Sequence, residues 1–397
     1  MKKGWEVKPL GEVAEIVNGG TPKSKISEYW SGGVQWLTPK DMGAMNEREI
    51  AETPRTISEK GLNGSSAKLI PANSVILSTR APIGHLAINS VPMAFNQGCR
   101  GLVPGQKLDH LYLYYFLSAN REQLNDLGVG TTFKELSATH LKAIKIPVPL
   151  LEEQKRIVAV LDEAFEGLAR ARANAEANLQ NARELFESYL REVFCHKGND
   201  WTTLPLNEKV RFIDYRGKTP PKRDFGIRLI TAKNVKMGYI NREPEEFIDS
   251  GAYAGWMTRG FPKNGDVLFT TEAPLANVAQ LDTDETVVIG QRLITMQPDE
   301  SILVPSFLKY ALMSKPVQDE IHSRGTGATV LGIKAKLLKT VPISFPIDIN
   351  QQLAIAAQID NVWEYSKQLV SASVTKIVDV DGLKQSLLQK AFAGELT

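Results

Sequence analysis

The chain has 397 residues, 43% hydrophobic and 23% charged, with a net charge of +2 at neutral pH, which excludes a disordered polyelectrolyte and gives length for two to four domains. Its two cysteines, Cys99 and Cys195, lie far apart without paired Cys/His spacing, excluding a disulfide framework or zinc cluster and fitting a reducing cytoplasm. No run of about 18 apolar residues predicts a membrane span, and MKKGWEVKPLGEVAEI lacks the continuous apolar core of a signal peptide.

In chain order, residues 1–150 carry short β-branched runs such as SVILST and AIKIPVP between Gly, Asn and Pro turns, which predicts a mixed α/β domain rich in short strands. One helical pattern spans Leu108 to Leu127. Residues 151–196 contain no proline, since all 21 prolines fall at positions 9 to 149 or 205 to 346, and such a stretch suits a long helix. Its apolar positions follow a 3,4 spacing through Val158, Leu161, Phe165, Leu168, Leu179, Phe186 and Tyr189, the signature of a coiled-coil seam. Residues 197–347 repeat the character of the first domain, with DVLFTT and ETVVIG as strand runs and a helical pattern from Val304 to His322. Residues 348–397 are again proline-free, with a weaker seam at Ile359, Trp363, Val370, Ile377, Val380 and Leu387. Two separate amphipathic helices, each on its own domain, remain the alternative to a coiled coil.

The chain is therefore written twice, with an offset near 198 residues. Trp5, Pro9, Leu10 and Glu12 answer Trp201, Pro205, Leu206 and Glu208; LTPKDM at Leu37 matches ITAKNV at Ile230; IPANSVILSTRAPIG matches FPKNGDVLFTTEAPLA; and LFESYLREVF aligns without gaps on LKQSLLQKAF. The expected fold is α/β (α+β): two mixed domains with a pseudo-two-fold repeat, joined by two long helices in an antiparallel coiled coil. A helix of about 40 residues spans roughly 60 Å, enough to hold two domains apart.

Motifs for catalysis are missing. There is no GxxxxGK[ST], GxSxG or GxGxxG, and the five histidines (His85, His110, His140, His196, His322) lack ligand spacing. Glu153 and Lys155 form a Glu-x-Lys at the start of the first long helix, without a strand-borne acid to complete a metal site. No catalytic residue, metal ligand or cofactor loop is assigned. The bet moves to binding.

A small net charge does not by itself imply nucleic acid, so position decides. Between Lys209 and Lys236 nine basic residues face Asp214 and Asp224 alone. Turns concentrate the side chains that bind phosphates or read base edges. In the first repeat these are Lys23, Lys25, Lys40, Arg80, Gln97, Arg100, Thr131 and Lys134; in the second, Lys222, Arg223, Lys233, Asn234, Gln291, Arg292, Arg324 and Thr329. Of these, Arg80, Gln97, Arg100, Lys134, Asn234, Gln291 and Arg292 are the expected base readers.

The run G-x-TP…YW…G-G-V-x-W-L-TPKD from Gly20 to Asp41, followed by STRAPIG, FNQG, GTTF and IPVPLLEEQKRIV at Ile146 to Val158, resembles the specificity subunits of type I restriction-modification systems. The resemblance covers the whole chain. It implies two target-recognition domains, each reading half of a bipartite double-stranded DNA site, and helical spacers that set the half-site separation and dock two modification subunits. Restriction/translocase subunits would join these. Methyl transfer from S-adenosylmethionine and ATP- and Mg-dependent cleavage would belong to the partner chains, this subunit being non-catalytic. The second repeat departs from the pattern, with Leu229 for Trp36, Ala276 for Gly84 and VIGQ for FNQGC, which predicts unlike half-sites. Two alternatives stay open: a stand-alone DNA methyltransferase or nuclease with an unrecognised motif, and a coiled-coil scaffold that binds protein only.

Overall fold

The computed structural model describes all residues except Met1, Lys3, Ala81, 131–133, 216–219, Ala328 and Thr397. The chain divides into two compact units, Met1–Ala175 with Thr375–Thr397, and Glu176–Val374.

In the first unit, a sheet of five strands runs in the order Ala14–Asn18, Cys99–Pro104, Ser74–Thr79, Ile83–Asn89 and Glu49–Ile50. A second sheet orders Thr56–Ile57, Trp30–Leu37 and Met93–Phe95, the last two parallel. All six residues of Ser74–Thr79 are buried. Because side chains alternate along a strand, Val75 and Leu77 enter the core beneath the helix His110–Ala119, whereas Ile76 enters the one shared with Leu37 and Phe95. This double burial explains why SVILST reads as a continuous apolar run rather than a half-polar one.

The second unit rebuilds the same plan. Val210–Asp214, Leu293–Pro298, Val267–Thr270 and Val278–Gln280 form one sheet; Lys222–Arg223, Phe247–Ile248, Ile227–Ile230 and Val287–Ile289 form the other, again ending in a parallel pair. Val267 and Phe269 face one core and Leu268 the other. Each unit also pairs its first and last strands: Glu6–Pro9 with Lys145–Val148, and Trp201–Pro205 with Pro342–Pro346. Their ends deliver the chain into a long helix.

Those helices are Leu151–Cys195 and Ile349–Ala393, 45 residues each. Within the first unit Arg172 pairs with Asp381 at 2.5 Å and Lys384 lies over the Phe165 ring; within the second, Tyr189 meets Gln358 and Phe186 packs on Trp363 at 4.6 Å. Rising numbers on one helix meet falling numbers on the other, so in each unit the two segments run antiparallel. The expected seam residues are buried or half-buried: Val158, Leu161, Phe186 and Ile359 are buried, and Phe165, Leu168, Leu179, Tyr189, Trp363, Val370, Ile377, Val380 and Leu387 half-buried. Leu190, Phe194 and Leu388 are buried beside them, because near the helix ends the chain packs on its domain as well as on the other helix, which widens the apolar face beyond a 3,4 stripe. Ser366, between Trp363 and Val370 on this helix, donates its hydroxyl to the Ala182 carbonyl at 2.6 Å.

The helical patterns at Leu108 to Leu127 and Val304 to His322 each break in two. They form His110–Ala119 with Arg121–Asp126, and Pro305–Met313 with Lys315–Ser323. Asn120 turns its amide onto the Phe116 carbonyl, and Pro316 fits only the first turn of a new helix.

Candidate nucleic-acid interface

In the first repeat a cavity of about 310 Å³ is lined by Thr38, Lys40, Arg55, Arg80, Asn96 and Gln97, among others. Backbone geometry builds it. Thr38 caps the helix Pro39–Gly43 reciprocally with Asp41, placing Lys40 in its first turn. The Trp36 indole donates to the Gly20 carbonyl at 2.9 Å, and Asn96 donates to Thr21 at 3.0 Å while accepting from Gly98 N at 2.8 Å. A Cβ on Gly20 would lie 2.1 Å from the Ala67 nitrogen, so only glycine permits this approach. Three of the expected contact residues, Lys40, Arg80 and Gln97, are thus brought together and exposed. Lys23, Lys25 and Lys134 are also exposed, on turns outside that lining. Thr131 lies outside the described residues, as do Arg216 and Lys218 of the basic run.

Arg100 corrects the sequence expectation. Its side chain is only 12% exposed, and Nη1 donates to the carbonyls of Gln97 and Cys99 at 3.1 and 3.0 Å. Nη2 faces Glu135 at 3.5 Å. It holds the turn that presents Gln97 and is not itself presented. Beside it, burial pushes the Cys99 thiol up to about 12, so that cysteine is an inert core residue.

In the second repeat a cavity of about 340 Å³ is lined by Thr271, Glu272, Gln291, Arg292, Thr326 and Lys334, among others. Strand register gives the correspondences. Leu37 pairs with Phe95 as Ile230 does with Ile289, so Gln97 answers Gln291; Ser78 pairs with Cys99 as Thr270 does with Leu293, so Arg80 answers Glu272. The frame is the same and the charges differ. Glu272 accepts from Arg292 Nε at 2.9 Å, while Arg80 stands 4.0 Å from Glu135.

Two more expectations are corrected here. Asn234 is 4% exposed, its oxygen accepting from the Thr231 N–H and hydroxyl and its amide donating to the carbonyls of Asn241 and Pro244. It occupies the capping position of Asp41, and nothing of its amide is left for a base. Arg324 spends its guanidinium on Glu320, on Thr340 at 2.8 Å and on the Leu337 carbonyl. Lys222 and Lys233 are exposed but share Glu246, at 2.7 and 3.7 Å. Arg223 and Thr329 are exposed.

Sequence reading missed Arg55, whose guanidinium lies 4.7 Å from the Trp36 ring and 5.6 Å from that of Trp30. It also missed the buried glutamines Gln154 and Gln352. Gln154 accepts from Asp109 N and donates to the carbonyls of Lys107 and Pro149; Gln352 accepts from Val304 N and donates to those of Ile302 and Pro346. The 198-residue offset that joins these two was the available signal. For Arg55 there was none, because its partners are 19 and 25 residues away. Among the described residues, no three or more His, Cys, Asp or Glu side chains are grouped to hold a metal ion, and no helix is long and apolar enough to cross a membrane.

Residues 2–177 match the family model of the type I restriction modification DNA specificity domain. The first repeat belongs to that domain family. The chain is 36% identical over 222 residues to the MjaIX type I restriction enzyme specificity subunit of Methanocaldococcus jannaschii, an alignment covering 55% of this chain and 49% of that subunit. With the EcoR124I/EcoR124II subunit of Escherichia coli the identity is 31%, over 46% of this chain and 48% of the relative. The chain thus spans about half the length of these two relatives. The MjaVIII subunit matches at 24% identity over 92% of this chain and 88% of its own. Beyond the specificity domain, the fold of the whole chain is shared with a solved chain from a type I restriction-modification system (TM-score 0.77, 22% identity, 100% and 99% coverage) and with the HsdS subunit of Thermoanaerobacter tengcongensis (0.64, 20%, 100% and 98%).

Proposed function

We propose that the chain is the sequence-reading subunit of a type I restriction-modification enzyme, each repeat recognising one half of a bipartite double-stranded DNA site. The observation that carries this reading is a cavity in each repeat that shares the register positions of Arg80 with Glu272 and of Gln97 with Gln291, yet is lined by unlike charges. A shared frame suits the same approach to a duplex, and unlike linings suit different bases. The exposed Lys23, Lys25, Lys40 and Lys134 supply phosphate affinity that falls with salt. The subunit acts without catalysis of its own, in the cytoplasm, docking two modification subunits on its long helices and, through them, restriction/translocase subunits. Methyl transfer from S-adenosylmethionine and ATP- and Mg-dependent cleavage are assigned to those partners.

The test is co-expression with a modification subunit, followed by sequencing of methylated adenines. A two-part motif with a fixed gap is expected, changed in one half only when residues 1–150 are exchanged. Assembly without sequence-dependent methylation would instead favour a protein scaffold, and turnover by the isolated chain would favour a stand-alone enzyme.

A further inference from the structure

We infer that Arg55 reads a guanine in the half-site recognised by the first repeat, an assignment that rests on the proposed function and names the residue that carries part of its specificity. The Trp30 and Trp36 rings stand edge to face, 5.2 Å apart at 87°. Trp36 is 1% exposed and tethered through its indole N–H to the Gly20 carbonyl. Arg55 lies over both rings yet is itself exposed. It also separates two openings, lining the 310 Å³ cavity beside Lys40, Arg80 and Gln97 and a neighbouring one of about 460 Å³ beside Ser24 and Ser31.

A guanidinium held over an indole is attracted by the ring face and keeps a planar fork of N–H donors. That planar fork matches the O6 and N7 acceptors of guanine in the major groove, and the contact with the two rings removes part of the freedom that an extended arginine loses on binding. Availability is equally telling. Among the described residues Arg55 has no carboxylate partner, unlike Arg48, Arg228, Arg292 and Arg324. In the second repeat the same register position is Glu246, since Gln35 pairs with Thr56 as Arg228 pairs with Phe247. Glu246 is 12% exposed and bridged to Lys222 and Lys233, so the device belongs to the first repeat alone.

The experiment uses the full chain assembled with its modification subunit, comparing wild type, Arg55→Gln and Arg55→Lys by mapping methylated motifs and by binding to oligonucleotides varied at each position of the first half-site. Discrimination for one guanine is expected to fall on the order of ten- to hundredfold in both variants, with the other half-site unchanged as an internal control. Arg55→Lys keeps the charge, so its affinity should keep the wild-type salt dependence while losing the guanine preference. A first half-site without guanine overturns the assignment, as does equal weakening of all sequences with a shallower salt slope, which marks a phosphate contact. If the wild-type complex shows no sequence-dependent methylation, the parent reading fails and this assignment fails with it. Both variants are checked for unchanged melting temperature; should Arg55→Gln unfold, the Lys variant, which retains the long apolar stem over the indoles, decides the outcome.

Discussion

At the scale of single residues, two arginines of the first repeat have opposite uses. Arg80 is exposed at the cavity, whereas Arg100 lies beneath the turn and donates to the Gln97 and Cys99 carbonyls. Replacing Arg100 by alanine leaves those acceptors without their donor, a loss of about 1–3 kcal/mol. The expected result is a lower melting temperature and weaker binding to every sequence, with the preferred bases retained; a relaxed base preference would return Arg100 to the reading surface. Gly20 sets a second such limit. Because a Cβ there meets the Ala67 backbone at 2.1 Å, Gly20→Ala has to displace the segment whose carbonyl anchors Trp36, and the loss should appear as a changed tryptophan fluorescence spectrum together with reduced DNA affinity. These distinctions were closed to sequence reading for a chemical reason. Side chains rich in donors and acceptors suit a base edge and a loop's own carbonyls equally well, so composition picks out Arg100, Asn234 and Arg324 beside Arg80 and cannot divide them.

At the scale of elements, each long helix is fastened to its domain by polar groups placed at the 198-residue offset. Asp162 receives hydrogen bonds from Arg48 and Tyr115, and Asp360 from Lys309 and Tyr310. Burial opposes ionisation of Asp162, but the bonds from Arg48 and Tyr115 outweigh it and hold the carboxyl below its ordinary range. The unfolded chain therefore takes up this proton more readily than the folded one. The stabilisation is complete above the unfolded value of about 4 and is lost as pH falls through the folded value. With Asp162 more than a third exposed, solvent screening limits the effect to about 1 kcal/mol, so Asp162→Asn should lower stability to urea at pH 7 and converge on wild type as pH falls through the folded value. Gln352 is buried more deeply. Gln352→Leu strands the Val304 N–H and two carbonyls, a cost of about 3 kcal/mol to be read as a lowered urea midpoint. The helices themselves were legible, since proline exclusion and apolar spacing mark Leu151–Cys195 and Ile349–Ala393 almost to the residue. Their fastening was not, because a single glutamine or aspartate in a charged helix looks like surface until its partners are known.

At the scale of the whole molecule, the repeat in sequence becomes two units whose boundaries cut through both helices. The last segment, Thr375–Thr397, is compact with the first repeat: Phe392 packs edge-on to Tyr112 and Phe116, at 5.1 and 5.4 Å, and Leu388 joins their core. Ile359, 29 residues earlier on the same helix, joins the core of the second unit with Phe307 and Tyr310. One helix thus serves two cores, and truncating a buried aliphatic side chain in either should cost about 3 kcal/mol in different places. Leu388→Ala is expected to raise amide exchange in Ser74–Thr79 and Cys99–Pro104, and Ile359→Ala in Val267–Thr270 and Leu293–Pro298. Exchange measured by mass spectrometry on the two variants separates the possibilities. If both changed the same strands, the chain would unfold as one cooperative body; if each changed its own, the repeats are stability units in their own right, and one recognition surface can vary without unsettling the other.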